Sequence, residues 1–236
     1  MKATCSFFGT NSTTFPLISI KYRKMNVKTF TFNDFEENTY ILYDDTGECI
    51  IVDPGCNTEE ERKELTDFID DHSLVPVRLV NTHCHIDHIL GNAFVSEKYN
   101  LALCAHKGEV PVLESGKQVS LMYGIPYTPS PEITVFLEEG QEITFGNTTL
   151  KILFTPGHSP ASICFYDEKS SKLIAGDVLF QGSIGRTDLP GGNYDSLIQS
   201  IKEKLFVLPD QVIVYPGHGP TTSIGFEKKY NPFFED

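Results

Sequence analysis

Short bursts of alternating apolar and polar residues begin at Val27. Val27–Phe32, Asn38–Tyr43 and Glu48–Val52 are rich in β-branched and aromatic residues and predict three strands. Asp44-Asp45-Thr46-Gly47 is the turn between the second and third, and Asp53-Pro54-Gly55 stops the third. Asn57 or Thr58 then caps a helix running to about His72, with Leu65, Phe68 and Ile69 on one face and acids on the other. Val75–Val80, broken only by Pro76 and Arg78, reads as a buried strand. Ile86, Ile89, Leu90, Ala93 and Phe94 recur at helical spacing and predict one helix to about Tyr99. Leu101–Ala105 predicts a strand and Gly108–Glu114 a short helix. Residues 115–132 lose the period, mixing Ser, Gly and Pro with Leu121, Met122, Tyr123, Ile125 and Tyr127. They read as a long loop, either a pocket wall or lid carrying Tyr123 and Tyr127, or a segment folded onto its own apolar cluster.

Strands return at Ile133–Phe136, Gln141–Phe145, Thr148–Phe154, Ser162–Tyr166 and Lys172–Ala175, with Gly146-Asn147 as a hairpin turn. Asn193–Leu205 is an amphipathic helix, Gln211–Tyr215 a last strand, and Ile224–Tyr230 a last helical turn or two. The order, strands with helices and then strands with a helix, predicts an α/β protein of two similar halves packed sheet to sheet. No repeat or linker divides residues 25–236, which read as a single domain. Residues 1–24 are rich in Ser, Thr and Asn, end in basic residues and lack a convincing signal sequence. They are expected to be a disordered extension or the product of an alternative start.

Lys and Arg number 19 against 32 Asp and Glu, a net charge of −13, which disfavours nucleic acid and anionic membranes as partners. No apolar stretch approaches the length of a membrane span. The six cysteines form no CxxC pair, and Cys49, Cys104 and Cys164 sit in apolar strand-like runs. Reduced, buried thiols in a cytoplasmic setting are therefore expected. Cys84 should point away from the residues on either side of it.

Those residues carry the chemistry. Thr82-His83-Cys84-His85-Ile86-Asp87-His88 sits where a strand ends and a helix begins, and imidazole and carboxylate are ligands suited to zinc or iron. Three more polar residues occupy strand ends. His158 lies in Thr155-Pro156-Gly157-His158-Ser159-Pro160, Asp177 follows Gly176, and His218 lies in Pro216-Gly217-His218-Gly219-Pro220. Each alone is weak, because a single histidine after a strand is more often a surface or capping group. Together His83, His85, Asp87, His88, His158, Asp177 and His218 exceed what one tetrahedral ion uses and fit two ions sharing Asp177. Two such ions would hold a bridging water acidic enough to act as hydroxide near neutral pH. His72 and His106 read as a helix-end cation and a surface or supporting group.

The HxHxDH run at 83–88, followed in order by His158, Asp177 and His218, resembles the metallo-β-lactamase superfamily from about Val27 onward. That resemblance implies an αββα sandwich, two mixed β-sheets flanked by helices, with the metals at one edge. It also implies that His83, His85 and His158 hold one ion and Asp87, His88 and His218 the other, bridged by Asp177. True β-lactamases use a cysteine at the step where this chain has Asp177. Gly176–Phe180, Gly185-Arg186-Thr187-Asp188 and Pro216–Thr222 are similar to the glyoxalase II-like branch, notably its short bacterial members. Full-length members add a C-terminal helical domain that supplies glutathione contacts, whereas 18 residues follow His218 here.

The resemblance implies a thioester hydrolase holding two divalent ions, zinc by preference with iron or manganese compatible. Bridging hydroxide would attack the carbonyl carbon, with Asp87 and Asp177 as catalytic residues and a small-molecule thioester as substrate. Arg186 is expected either to meet a substrate carboxylate or to pin its loop to Asp188. The alternatives are a mononuclear-iron persulfide dioxygenase of the same fold and a non-enzymatic metal-binding module. Oligomeric state is not encoded in any of these features.

Overall fold

The structure, a computed structural model, describes residues 24–234. The expectation for the N-terminal extension falls almost entirely outside them. The first half forms a six-stranded sheet in sequence order: β1 (Asn26–Phe32), β2 (Glu37–Tyr43), β3 (Glu48–Val52), β4 (Val75–Val80), β5 (Leu103–Ala105) and β6 (Ile133–Phe136). The first three strands are antiparallel, and β3 to β6 run parallel. Parallel strands need crossovers. Here these contain α1 (Glu59–Asp71), then α2 (Ile86–Ile89) with α3 (Asn92–Tyr99), then α4 (Val110–Tyr123).

The second half is another six-stranded sheet. It is built from β7 (Glu142–Phe145), β8 (Thr148–Phe154), β9 (Ile163–Asp167) and β10 (Lys172–Gly176), then the hairpin β11 (Leu179–Phe180) and β12 (Ser183–Ile184), then α5 (Tyr194–Ser200), β13 (Ile213–Pro216), β14 (Thr222–Ser223) and α6 (Ile224–Tyr230). The sheet order is β14-β13-β10-β9-β8-β7, and the β11–β12 hairpin pairs separately.

Alternation along the strands explains the layering. In β3, Ile50 and Val52 join the inner core while Cys49 and Ile51 face the helices. In β10, Ile174 points inward and Leu173 and Ala175 outward. The inner core joins Tyr40, Leu42 and Val80 of the first sheet to Phe145, Ile152 and Phe165 of the second. The outer cores seat Leu65 and Ile69 of α1 on one side and Leu197 of α5 on the other. Both sheets are therefore covered on both faces at their centres, while edge strands such as β6 and β7 keep exposed positions, which is the expected αββα sandwich.

Thr58, not Asn57, caps α1. Its hydroxyl accepts from the Glu61 amide, and the Glu61 carboxylate accepts in return from the Thr58 amide. The helix expected after the histidine cluster is split at Gly91, whose amide bonds the Pro54 carbonyl at 2.7 Å. A Cβ there would lie 2.6 Å from Cys56 Sγ, so the chain presses against the 53–56 loop at the break. The long loop expected from residue 115 does not begin there. Helix α4 continues to Tyr123 and ends on Gly124 in the left-handed region (φ +69°). Pro111 occupies the first turn, where its missing N–H costs nothing, and Gly116 allows close approach of Ile89 and Tyr127. The five described cysteines, all but Cys5, are free and buried.

Candidate metal centre

The seven residues converge from four strand ends. His83 and His85 follow β4, Asp87 and His88 ride on α2, His158 follows β8, Asp177 follows β10 and His218 follows β13. The donor atoms of His83, His85 and His158 lie within 4.8 Å of one another, as do those of Asp87, His88 and His218. Asp177 stands between the two groups. Its Oδ2 is 3.5 Å from His158 Nε2 and 3.5 Å from His218 Nε2, and its Oδ1 is 3.4 Å from His88 Nε2.

Hydrogen bonds behind the rings fix which nitrogen is offered. His158 Nδ1 donates to the Arg186 carbonyl (2.8 Å) and His218 Nδ1 to the Phe35 carbonyl (3.0 Å), so each presents an Nε2 lone pair. His83 Nδ1 lies 3.1 Å from Thr82 Oγ1, whose own proton goes to Asp53 Oδ2. His83 therefore offers Nε2 as well. Two lone pairs thus face each other, His158 Nε2 and His83 Nε2 at 3.2 Å, and His158 Nε2 also sits 2.8 Å from His85 Nδ1. Two nitrogens about 2.05 Å from one tetrahedral ion would stand about 3.3 Å apart. Asp177 Oδ1 and His88 Nε2 are buried without a hydrogen-bond partner. This donor set fits a pair of cations, since nothing else in it can satisfy so many acceptors at once.

Electrostatics divides the two groups. Burial, with His88 and His85 beside it, holds His83 well below the usual imidazole range, and burial with His158 alongside pushes His85 down to about 4. His158 is lowered chiefly by burial. These three rings are neutral at pH 7, the form in which imidazole can bind a cation. Burial alone would lower His88, but the Asp87 and Asp177 carboxylates raise it well above its ordinary value. Burial alone would raise Asp177, but His88, His158 and His218 hold it well below the usual carboxylate range.

Three supports were not evident from sequence. Asp53, at the end of β3, accepts from the Thr82 amide (2.7 Å), Thr82 Oγ1 (2.5 Å) and Asn81 Nδ2 (3.2 Å), with His88 Nδ1 3.2 Å away. Its oxygens are thus committed, and it backs the His88 ring rather than opening a further ion site. Asn38 and Tyr40 hold the His218 loop: Asn38 Nδ2 donates to the Pro216 and Gly219 carbonyls, and Tyr40 Oη to the Pro216 carbonyl. Glu109, fully buried, accepts from the Cys84 amide (2.9 Å), Ser159 Oγ (2.6 Å) and the Ala161 amide (2.8 Å). It ties the His83–His85 loop to the His158 loop.

The centre opens on a cavity of about 1020 Å³, reached by His85, Asp87, His158, Asp177 and His218. Tyr123 lines it, its ring edge-on to Phe35 with centroids 5.6 Å apart. Tyr127 does not. It packs on the apolar core and bonds Ser130 through its hydroxyl. Arg186 lines the cavity with both its Nε and an Nη on Asp188, each at 2.7 Å. Cys84 is buried in the core beneath α2 and α4. His72 stacks on Phe68, and His106 caps the turn before α4, with its ring against Phe154.

Residues 33–218 match the metallo-beta-lactamase superfamily, and the chain belongs to it. Among relatives, it is 38% identical to a probable metallo-hydrolase, YqgX, of Bacillus subtilis over 91% of this chain and 97% of that one. It is 33% identical to the hydroxyacylglutathione hydrolase GloC of Haemophilus influenzae, over 89% of this chain and 98% of that one. Among solved structures, the BLEG-1 B3 metallo-beta-lactamase superposes with a TM-score of 0.82 at 36% identity, over 89% of this chain and all of that one. TTHA1623, solved in a di-iron-bound form, gives 0.79 at 34% identity, over 88% of this chain and all of that one. No helix among the described residues is long and apolar enough to cross a membrane.

Proposed function

We propose that this protein is a thioester hydrolase of the glyoxalase II-like type, working with two divalent ions. The observation that carries this reading is the convergence of His83, His85, His158 and Asp87, His88, His218 on either side of Asp177, at the floor of a cavity. The similarity to GloC supports the thioester class. Zinc is the ion we assign first; the same oxygen and nitrogen donors take iron or manganese, and a similar fold holds two irons. The ions, when bound, supply Lewis acidity and a water acidic enough to react at neutral pH.

The chain's own part is positional. The cavity delivers the thioester carbonyl to the edge where His85, Asp87 and His218 are exposed to it. Asp87 Oδ2, 3.0 Å from His218 Nε2, takes the proton of the attacking water. The C–S bond breaks as water adds, giving a carboxylic acid and a thiolate that leaves without a proton donor; the proton held by Asp87 then passes to solvent or to the departed thiolate. Asp177 keeps the two halves in register. The net charge of −13 and the free, buried cysteines support a small-molecule substrate, no nucleic-acid or membrane partner, and a cytoplasmic setting.

The test is metal content by plasma mass spectrometry together with thiol release from a panel of thioesters, S-lactoylglutathione among them, with Asp177→Ala as the blank. Two ions per chain and a kcat/KM of about 10⁴ M⁻¹s⁻¹ or more on a panel member are expected. One iron per chain with oxygen uptake on a persulfide would replace the reading by the dioxygenase. Metal binding with no turnover of either kind would leave a binding module.

A further inference from the structure

We propose that the cavity takes thioesters through an uncharged, apolar arm laid against α4, an arm that can belong to the acyl group or to the thiol. This rests on the thioesterase reading and names its substrate class. Val112, Ser115, Val119 and Met122 follow one another at spacings of three, four and three along α4, so they share one face of the helix, and all four line the cavity. Pro111 extends that wall, and Ile184 and Leu189 add apolar surface from the segment after Asp177. The carboxylates and imidazoles of the cavity gather at the metal centre, and Ser115, Gln118, Ser183 and Arg186 are the other polar side chains with a charged, amide or aliphatic hydroxyl group that line it. The wall beyond them is chiefly hydrocarbon.

Charge points the same way. Arg186 is the cationic side chain other than the histidines among the residues lining the cavity, and its Nε and one Nη are on Asp188. A peptidic thiol such as glutathione would bring carboxylates to a wall whose guanidinium already faces the Asp188 carboxylate. Met122 is 76% exposed and Tyr123 55% exposed at the end of α4, a large apolar surface that an apolar ligand arm would cover.

Two series of substrates separate the sources of the arm. One holds N-acetylcysteamine as the thiol and runs from acetyl through butyryl and hexanoyl to octanoyl; the other holds acetyl and lengthens an alkanethiol. In at least one series kcat/KM should rise by about three- to fourfold per methylene until the cavity is filled, and should pass that of S-lactoylglutathione. Two flat or falling series, or a clear preference for S-lactoylglutathione, would overturn the proposal. The failure of the enzyme reading is told apart by S-alkyl thioethers of N-acetylcysteamine, which have no bond to hydrolyse, titrated by calorimetry into metal-loaded protein. Affinity that climbs with alkyl length supports the apolar wall even if no thioester is cleaved, and affinity indifferent to length removes it. Met122→Gln, at an exposed position, should narrow the octyl-to-methyl affinity ratio by about threefold or more; an unchanged ratio counts against α4 as the wall.

Discussion

Glu109 offers the sharpest test of how the centre is held. Its carboxylate is buried and serves three donors, the Cys84 amide, Ser159 Oγ and the Ala161 amide. Burial pushes its pKa up, and the three hydrogen bonds pull against that rise without cancelling it. Glu109→Ala strands three buried donors at about 1–3 kcal/mol each. Relief of the desolvation penalty of a buried carboxylate returns part of this, so a net loss of about 3 kcal/mol is expected. At about 2–4 °C per kcal/mol for a protein of this size, the metal-free protein should melt about 6–12 °C lower. Glu109→Gln keeps an oxygen for Ser159 and Ala161 but turns its amide N–H toward the Cys84 N–H, and should cost roughly half as much. A positional effect should appear as well. Cys84 lies between His83 and His85, and Ser159 follows His158, so on the two-ion reading proposed above an ion held by those three rings should bind about 10- to 100-fold more weakly. The ion on Asp87, His88 and His218 should be spared. Differential scanning calorimetry of the apoprotein and chelator competition resolved into two affinities measure both effects. A melting point within about 2 °C of wild type, together with two unchanged affinities, would refute the reasoning.

Gly217→Ala should weaken metal binding by at least about tenfold, because the new Cβ would lie 2.0 Å from Asp177 Oδ1 and 2.8 Å from His88 Cε1, and the carboxylate must swing away; wild-type stoichiometry after dialysis against a weak chelator would contradict this. Asp44 joins the halves by accepting from the Thr46 and Asn147 amides and the Thr46 and Thr148 hydroxyls, which outweigh burial and lower its pKa below 3.8. Its stabilisation is therefore full above its ordinary value and lost as pH falls through the lower folded value, so the gap in urea midpoint between wild type and Asp44→Ala should shrink below about pH 4; a gap that widens in acid would reverse the sign. Arg186→Ala should leave KM for S-lactoylglutathione and the melting point nearly unchanged, since an exposed pair with Asp188 does little for the fold; a KM raised about tenfold would mean the guanidinium turns to the substrate.

What could be read from the chain depended on how local the signal was. Thr58 and Glu61 satisfy each other three residues apart, so a cap at 57 or 58 was legible. Strands at the sheet centres, β3 and β10, read as nearly unbroken apolar runs because both of their faces are covered, and the turn at Asp44–Gly47 joins neighbours. Only the first part of α4 was legible, within the helix read over Gly108–Glu114; the rest was not, because Ser115 and Gly116 look like the start of a loop in a sequence, whereas in space Gly116 makes room for Ile89 and Tyr127. Glu109 is indistinguishable by composition from the exposed Glu114 nearby, and only its partners some 25 and 50 residues away mark it. Asn38 and Tyr40 reach the His218 loop across separations of about 180 residues, beyond any local pattern.

The candidate ligands escaped that limit for a chemical reason. His158, Asp177 and His218 sit at strand ends beside glycines or prolines, a setting that carries little meaning singly. Yet a dry sandwich has few positions where an imidazole can be buried, and placing His83, His88 and His158 at such positions is costly unless something accepts their lone pairs. Sequence alone can count the donors and see that they exceed any packing need. It cannot say which nitrogen each ring presents. That choice is made by the Arg186 and Phe35 carbonyls, whose identity as residues hardly matters and whose placement matters entirely, and by Thr82 Oγ1, which a hydroxyl side chain must supply. Substituting Arg186 or Phe35 should therefore leave those ring orientations intact, whereas shifting their backbone should not.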